Sequence, residues 1–194
     1  ETRYFLNGIY FHQIKNNNKN YLSLVATDGH RLAKFDCDYN ESIKDMPGVI
    51  IPKKTVNELY KLLSDFDGIV KINLNSNKIV FFVGESILIS KLIDGNFPDY
   101  KRVIPKENKN TLKVDRQSFS LAVDRVSTIT TDKLPVIKFK IMNNIVNLSS
   151  VNNENGTATE DINVNYIGEE MEIGFNSKYI LEMINNLEDE IITL

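Results

Sequence analysis

Short strand-like runs broken by single helices, in a plan that occurs twice along 194 residues, predict an α+β protein of two related halves. The first observation is period: alternating apolar positions fill most of the chain and give way to 3.6-residue spacing in a few windows. The second is a repeat. Pro52–Leu63 (PKKTVNELYKLL) lies on Asn176–Leu187 (NSKYILEMINNL) at an offset of 176 − 52 = 124. A repeat of that length indicates duplicated domains and not a solenoid. The third is composition: 42% hydrophobic and 25% charged residues suffice for a real core and exclude a disordered chain.

In order, Tyr4 to Ile14 and Tyr21 to Ala26 read as strands of a hairpin around the polar loop Lys15 to Asn20. The asparagine runs 16–18 and 143–144 mark turns. Val49 to Ile51 is a short strand ending at Pro52, a residue suited to a helix start. Lys53 to Leu63 then reads as a helix, with Val56, Leu59, Tyr60 and Leu63 on one face and Lys54, Asn57 and Lys61 opposite. Strands follow at Gly68 to Leu74, Lys78 to Val83 and Ser86 to Ile93. Gly95 to Lys109 has no period and is the inferred connection, placing the domains at 1–108 and 109–194. Asp115 can cap a helix through about Ile129, with Phe119, Ala122, Val123 and Val126 as its apolar stripe. Strands at Pro135 to Met142, Ile145 to Val151, Asp161 to Tyr166 and Met171 to Phe175 lead to a helix capped by Asn176, with Ile180, Met183, Ile184 and Leu187 apolar. Glu190 to Leu194 begins another strand. Matching the halves leaves the helix at Asp115 to Ile129 without a counterpart before Glu1, and the three strands of Gly68 to Ile93 without one after Leu194, so the chain is expected to be a window on a longer protein.

The lone Cys37 cannot form an internal disulfide and fits a reducing compartment; it reads as a small, partly buried filler. No apolar run approaches the ~20 residues that span a bilayer, and the first residues, ETRYFLNG, lack a signal-peptide layout. A net charge of −3 argues against tight DNA binding through a broad basic surface, though a local basic face is compatible with it. Enzyme signatures are scarce: His12 and His30 are the histidines, and there is no Gly-rich phosphate loop, H-E-x-x-H or Cys-x-x-Cys. Asp28-Gly29-His30 offers metal-ligand chemistry without a third ligand motif, and equally reads as a turn between strands. The lysines of the 53–63 helix are either a solvated face or a surface that passes a phosphate backbone. No catalytic residue, metal or cofactor is expected. A β-rich binding module without a DNA role remains the alternative, with an enzyme third.

Five segments narrow these readings: ETRYFLNG (1–8), ATDGHRLA (26–33), IPKKTV (51–56), FPDYKRV (97–103) and MEIGFNSKYIL (171–181). In order and in register, they closely resemble the bacterial DNA polymerase III β subunit family, the sliding clamps. The resemblance covers essentially the whole chain, as most of a middle clamp domain lacking its first helix and most of a C-terminal domain lacking its final strands and tail. It implies the DNA clamp fold: a head-to-tail homodimeric ring, helices lining the hole, antiparallel sheets outside. It implies a processivity factor in the cytoplasm, at the nucleoid, that encircles double-stranded DNA. On this resemblance Tyr4, Phe5, Lys53, Lys54 and Lys61 face DNA, with Asn57 beside them, and Phe5 stands where a tyrosine is common. Short peptides bearing Gln and spaced Leu/Phe would enter a pocket of Leu6, Thr27, Gly29, His30, Arg31, Leu32, Pro98, Arg102, Val103, Asn176 and Tyr179, with Lys101 at its rim. The implied partners are the polymerase III catalytic subunit, the clamp loader, and repair or translesion polymerases, mismatch-repair proteins and ligase. No membrane partner is implied.

Overall fold

The computed structural model describes residues 3–16, 19–39, 46–106, 108–131, 135–154 and 156–194. Glu1 and Thr2 of the opening motif, Asn17 and Asn18 of the hairpin turn and Glu107 of the connection lie outside them. The chain separates into two compact units, Glu1–Val103 and Ile104–Leu194, dividing within the Gly95–Lys109 connection. Among the described residues no helix is long and apolar enough to cross a membrane.

In the first unit, strands β1 (Gly8–Asn16), β2 (Lys19–Thr27), β3 (Leu32–Tyr39) and β4 (Val49–Pro52) form an antiparallel sheet in the order β3-β2-β1-β4. Helix α1 (Lys53–Leu63) follows, and β5 (Lys71–Leu74), β6 (Lys78–Val83) and β7 (Ser86–Lys91) make a second sheet. Alternation in β6 sends Ile79, Phe81 and Val83 inward, where they meet Phe11, Val49 and Ile51 of the first sheet and Val56, Leu59 and Leu63 of α1. Burying side chains of this size stabilises by roughly 1.5–3 kcal/mol each before entropy is counted.

The second unit repeats the layering. Strands β8 (Leu112–Asp115), β9 (Val136–Met142), β10 (Ile145–Asn152), β11 (Gly156–Asn163), β12 (Asn165–Tyr166), β13 (Met171–Asn176) and β14 (Ile191–Thr193) form sheets β11-β10-β9-β13 and β12-β8-β14. Helices α2 (Arg116–Ser127) and α3 (Ser177–Asn185) pack on each other and on these sheets. Phe119 of α2 meets Phe139 edge to face at 5.8 Å between ring centres, and Phe139 meets Phe175 at 5.0 Å. Asp115 Oδ1 accepts from the Ser118 amide at 2.7 Å, and Asn176 Oδ1 accepts from the amides of Lys178 and Tyr179. Both residues cap their helices as their side-chain chemistry predicts.

Several boundaries differ from the sequence reading, each for a local reason. The first strand begins at Gly8 and not Tyr4, because Tyr4–Leu6 is a 3-10 turn closed by Leu6 N–H to Arg3 O and Asn7 N–H to Tyr4 O. Gly8 itself is required: a Cβ there would stand 2.3 Å from the Ile51 carbonyl oxygen across the ladder. Helix α2 stops at Ser127, two residues short of Ile129, where Ser127 and Thr128 hydroxyls bond the Asp124 and Arg125 carbonyls. Helix α3 closes at Asn185 through tightened bonds from Asn186 and Leu187 amides to Met183 and Ile184 carbonyls. The strand expected at 68–74 begins only at Lys71, and 161–166 is split between β11 and β12. Tyr60, placed by period on the apolar face of α1, is 75% exposed.

Candidate functional site

The loop 27–32 is built by its own side chains. Asp28 Oδ1 accepts from the His30 and Arg31 amides at 2.9 and 3.0 Å, and its Oδ2 accepts from Arg31 Nε at 2.9 Å. Thr27 Oγ1 accepts from the Gly29 amide and donates to the Arg31 carbonyl. Partial desolvation pushes the Asp28 carboxyl upward, but those two amides and the guanidinium outweigh it and hold it at about 2. Gly29 sits at φ +91°, where a Cβ would also stand 2.8 Å from the Arg3 guanidinium. Arg3 in turn donates to the Asp28 carbonyl at 3.1 Å, tying the Tyr4–Leu6 turn to this loop. Asp28 is therefore committed to shaping its turn. Among the described residues no group of three or more His, Cys, Asp or Glu could hold a metal.

The segment 93–103 crosses the same sheet. Ile93 N–H bonds the Ile50 carbonyl at 2.9 Å, and a Cβ on Gly95 would lie 3.3 Å from Phe5 Cβ. Phe97 stacks on Tyr10 at 4.9 Å and 7°, Tyr10 stacks on His12 at 4.5 Å, and Tyr100 packs against His12 with its hydroxyl 3.0 Å from Nε2. Tyr100 and His12 are buried; Pro98, Lys101 and Arg102 are exposed, and Val103 is 69% exposed.

Strand register shows which face this is. Tyr10 stands opposite Val25, Val25 opposite Lys34, and Thr27 opposite Leu32. Two-residue periodicity therefore puts Thr27 and Leu32 on the face that Phe97 and Tyr100 cover, with Phe11 and Leu24 on the other, toward the core. Half-buried Leu6 precedes β1 at the end where this pair lies. In the second unit, Asn176 and Tyr179 are half-buried on the first turn of α3. The Asn176 oxygen serves the cap, so its amide NH2 is what it offers a ligand.

The same face holds a row with the residue types of a hydrolase triad: His12 opposite Ser23, and Ser23 opposite Asp36. Its geometry does not suit hydrolysis. Ser23 is fully buried, and the two His12 nitrogens are engaged by Tyr100 and the Gln13 carbonyl.

Lys53, Lys54 and Lys61 line an open groove of about 620 Å³ on α1, with Asn7, Asn57, Glu58 and Tyr60. The Lys53 amide bonds the Asn7 carbonyl at 3.1 Å, which sets the Tyr4–Leu6 turn beside the lysine-bearing end of the helix. Tyr4 is exposed, Phe5 is half-buried edge-on to it, and Lys61 donates to Glu58 at 3.1 Å. Sequence reasoning passes over Arg3, Tyr10, His12 and Tyr60; the signal for the first three is an aromatic pair at strand spacing and one arginine in the opening motif.

The central-domain profile of the DNA polymerase III beta subunit matches residues 1–99, and its C-terminal-domain profile matches residues 101–194. The chain belongs to the DNA polymerase III β subunit family. The beta sliding clamp of Caulobacter vibrioides is 41% identical over 187 residues, which cover 96% of this chain and 50% of that protein. That of Escherichia coli is 36% identical over 190 residues, covering 98% and 50%. A sliding clamp from Bartonella birtlesii, crystallised with griselimycin, superposes with a TM-score of 0.95 at 48% identity, covering all of this chain and 52% of that one. The Pseudomonas aeruginosa β subunit superposes at 0.92 with 35% identity, over 100% and 52%. The chain spans about half the length of the curated relatives it matches. The α+β layering of both units is that of the family.

Proposed function

We propose that this chain is the central and C-terminal part of a sliding clamp, which encircles duplex DNA and tethers a replicative polymerase through a peptide pocket. The observation that carries the docking half is the shared sheet face of Thr27, Leu32 and the 97–103 segment. Leu6, Leu32, Pro98 and Val103 supply apolar surface, and His30, Arg31 and Arg102 supply hydrogen-bonding groups around it. Gly29 keeps a side chain out of the space beside Arg3. Peptides with a Gln and spaced Leu/Phe residues suit such a surface. They are the common handle of the polymerase III catalytic subunit, the clamp loader, repair and translesion polymerases, mismatch-repair proteins and ligase.

The DNA half rests on Lys53, Lys54 and Lys61, with Tyr4 and Phe5 beside them, in a protein of net charge −3. A ring holds DNA by closure, so a few exchangeable phosphate contacts permit sliding where a tight grip would arrest it. The complete protein acts on this reading as a homodimeric ring in the cytoplasm, at the nucleoid, and no catalytic step is assigned to it.

The test is a titration with a Gln-Leu-x-Leu-Phe peptide. A buried Leu or Phe anchor contributes roughly 1.5–3 kcal/mol, so Leu32→Asp or Val103→Asp should abolish binding while circular dichroism stays native. Undiminished affinity in both folded variants would sink the pocket assignment.

A further inference from the structure

We propose that Tyr10, His12 and Tyr100 are positioning residues for the peptide pocket: they hold the 97–103 segment on its sheet, most firmly while His12 is uncharged. The inference rests on the pocket reading above and adds what fixes one wall of it. Pro98, Arg102 and Val103 are exposed and have little packing of their own, whereas the two aromatic residues among them are anchored. Phe97 and Tyr100 meet a continuous stack, Phe97 on Tyr10 on His12, with Tyr100 tilted at 54° against the histidine. The Val103 amide bonds the Tyr100 carbonyl and the Arg102 amide bonds that of Asp99, so both pocket residues inherit the position of Tyr100.

The hydrogen bonds assign the histidine's protonation. Nδ1 lies 3.2 Å from the Gln13 carbonyl, which only accepts, so Nδ1 carries the proton and Nε2 accepts from the Tyr100 hydroxyl. A second proton on Nε2 would reverse that bond, with the imidazolium donating to the Tyr100 oxygen and the O–H turning elsewhere, and would place a charge in a buried site. The surroundings resist that proton. Burial is the largest influence lowering the basicity of His12, and Lys101 on the crossing segment and Lys34 on β3 oppose a second positive charge. The Gln13 carbonyl and Asp36 on β3 favour it, without outweighing burial. Tyr10, on the same strand, is itself held protonated by burial and by Tyr100. Ser23, opposite on β2, is uncharged. The folded, latched protein thus favours the neutral imidazole, and that preference is lost as pH falls below its ordinary value near 6.5. Position 48 is part of the latch: a Cβ there would stand 2.2 Å from the Tyr10 hydroxyl oxygen and push the ring out of its stack.

The experiment is a titration of the 194-residue chain with acetyl-Gln-Leu-Ser-Leu-Phe-amide, which has no titrating group, at pH 7.5 and 5.5. Wild-type affinity should drop about threefold or more between the two. His12→Gln, whose amide oxygen can still accept from Tyr100, should keep the pH 7.5 affinity and show a smaller drop. His30 is unchanged between the two proteins, so the comparison isolates position 12. Tyr100→Phe retains the ring and should bind roughly three- to tenfold more weakly at pH 7.5. Without peptide, it should exchange the Val103 amide faster while the Phe81 amide is unchanged. Equal pH profiles for wild type and His12→Gln, or unaltered Val103 exchange in Tyr100→Phe, would overturn the proposal. A wild-type chain that binds no peptide at either pH would instead overturn the pocket reading, and the Val103 exchange would still report on the latch.

Discussion

Tyr60 and Ile184 occupy the same place in the repeated helix, yet one is 75% exposed and the other fully buried. The reason lies outside the helices themselves. In the second unit α2 lies alongside α3, and its Ala122, Val123 and Val126 belong to the cluster that encloses Ile184. In the first unit no second helix lies beside α1 among the described residues, and Thr55 is the one residue of α1 that is buried. The flank that α3 commits to packing is, in α1, a groove wall beside Lys53, Lys54 and Lys61. A duplicated helix thus keeps its period while the elements packed beside it decide how much of a face is buried.

The comparison can be broken at those two positions. Ile184→Ala should cost about 2–5 kcal/mol in urea unfolding, from lost burial plus a cavity, and Tyr60→Ala should stay within about 0.5 kcal/mol. Similar losses at both sites would mean that α1 is packed as α3 is. A smaller effect concerns the helix starts. Asn176→Ala removes the oxygen that caps two amides and should cost about 1 kcal/mol. Pro52→Ala, at a start with no side-chain cap, should cost about 0.4–1 kcal/mol, through the freer unfolded chain alone.

Stability should barely change when Lys53, Lys54 and Lys61 are replaced by Ala, but in the complete ring the salt dependence of DNA binding should flatten. Each lost duplex phosphate contact lowers the slope by about 0.9. Arg125 of α2 is the control: it is bound by both Glu160 oxygens, so Arg125→Ala should leave the slope unaltered. The smallest effect is acid dependence. The folded Asp28 carboxyl is depressed to about 2, so its contribution is complete above the ordinary value near 4 and is lost as pH falls toward 2. Asp28→Asn should remove that part of the acid-unfolding curve without affecting α2 or α3.

Period and capping chemistry made most of the fold legible. Val56, Leu59 and Leu63, the alternation of β6 and the caps at Asp115 and Asn176 each follow from local rules that tertiary packing did not override. β8 and β3 were harder: the first is four residues long, and the second is an exposed edge with Leu32 beside Lys34 and Asp36 on one face and an exposed Phe35 on the other. Of the candidate site, the Asp28-Gly29 turn was legible because its bonds are local. The stack that joins Tyr10 and His12 to Phe97 and Tyr100 was not, since no local pattern reports a contact across some 88 residues of separation.

β3 is also the outermost strand of its sheet, and Lys34, Asp36 and Asp38 lie along one of its faces. An outer strand leaves a row of unpaired backbone groups that another chain could extend as a ladder. Here an approaching strand would have to desolvate one lysine and two aspartates, with Lys34 already paired to Asp36, before gaining its first backbone bond. The charges that make this strand hard to read as a strand therefore also guard its open edge against pairing with a stray strand.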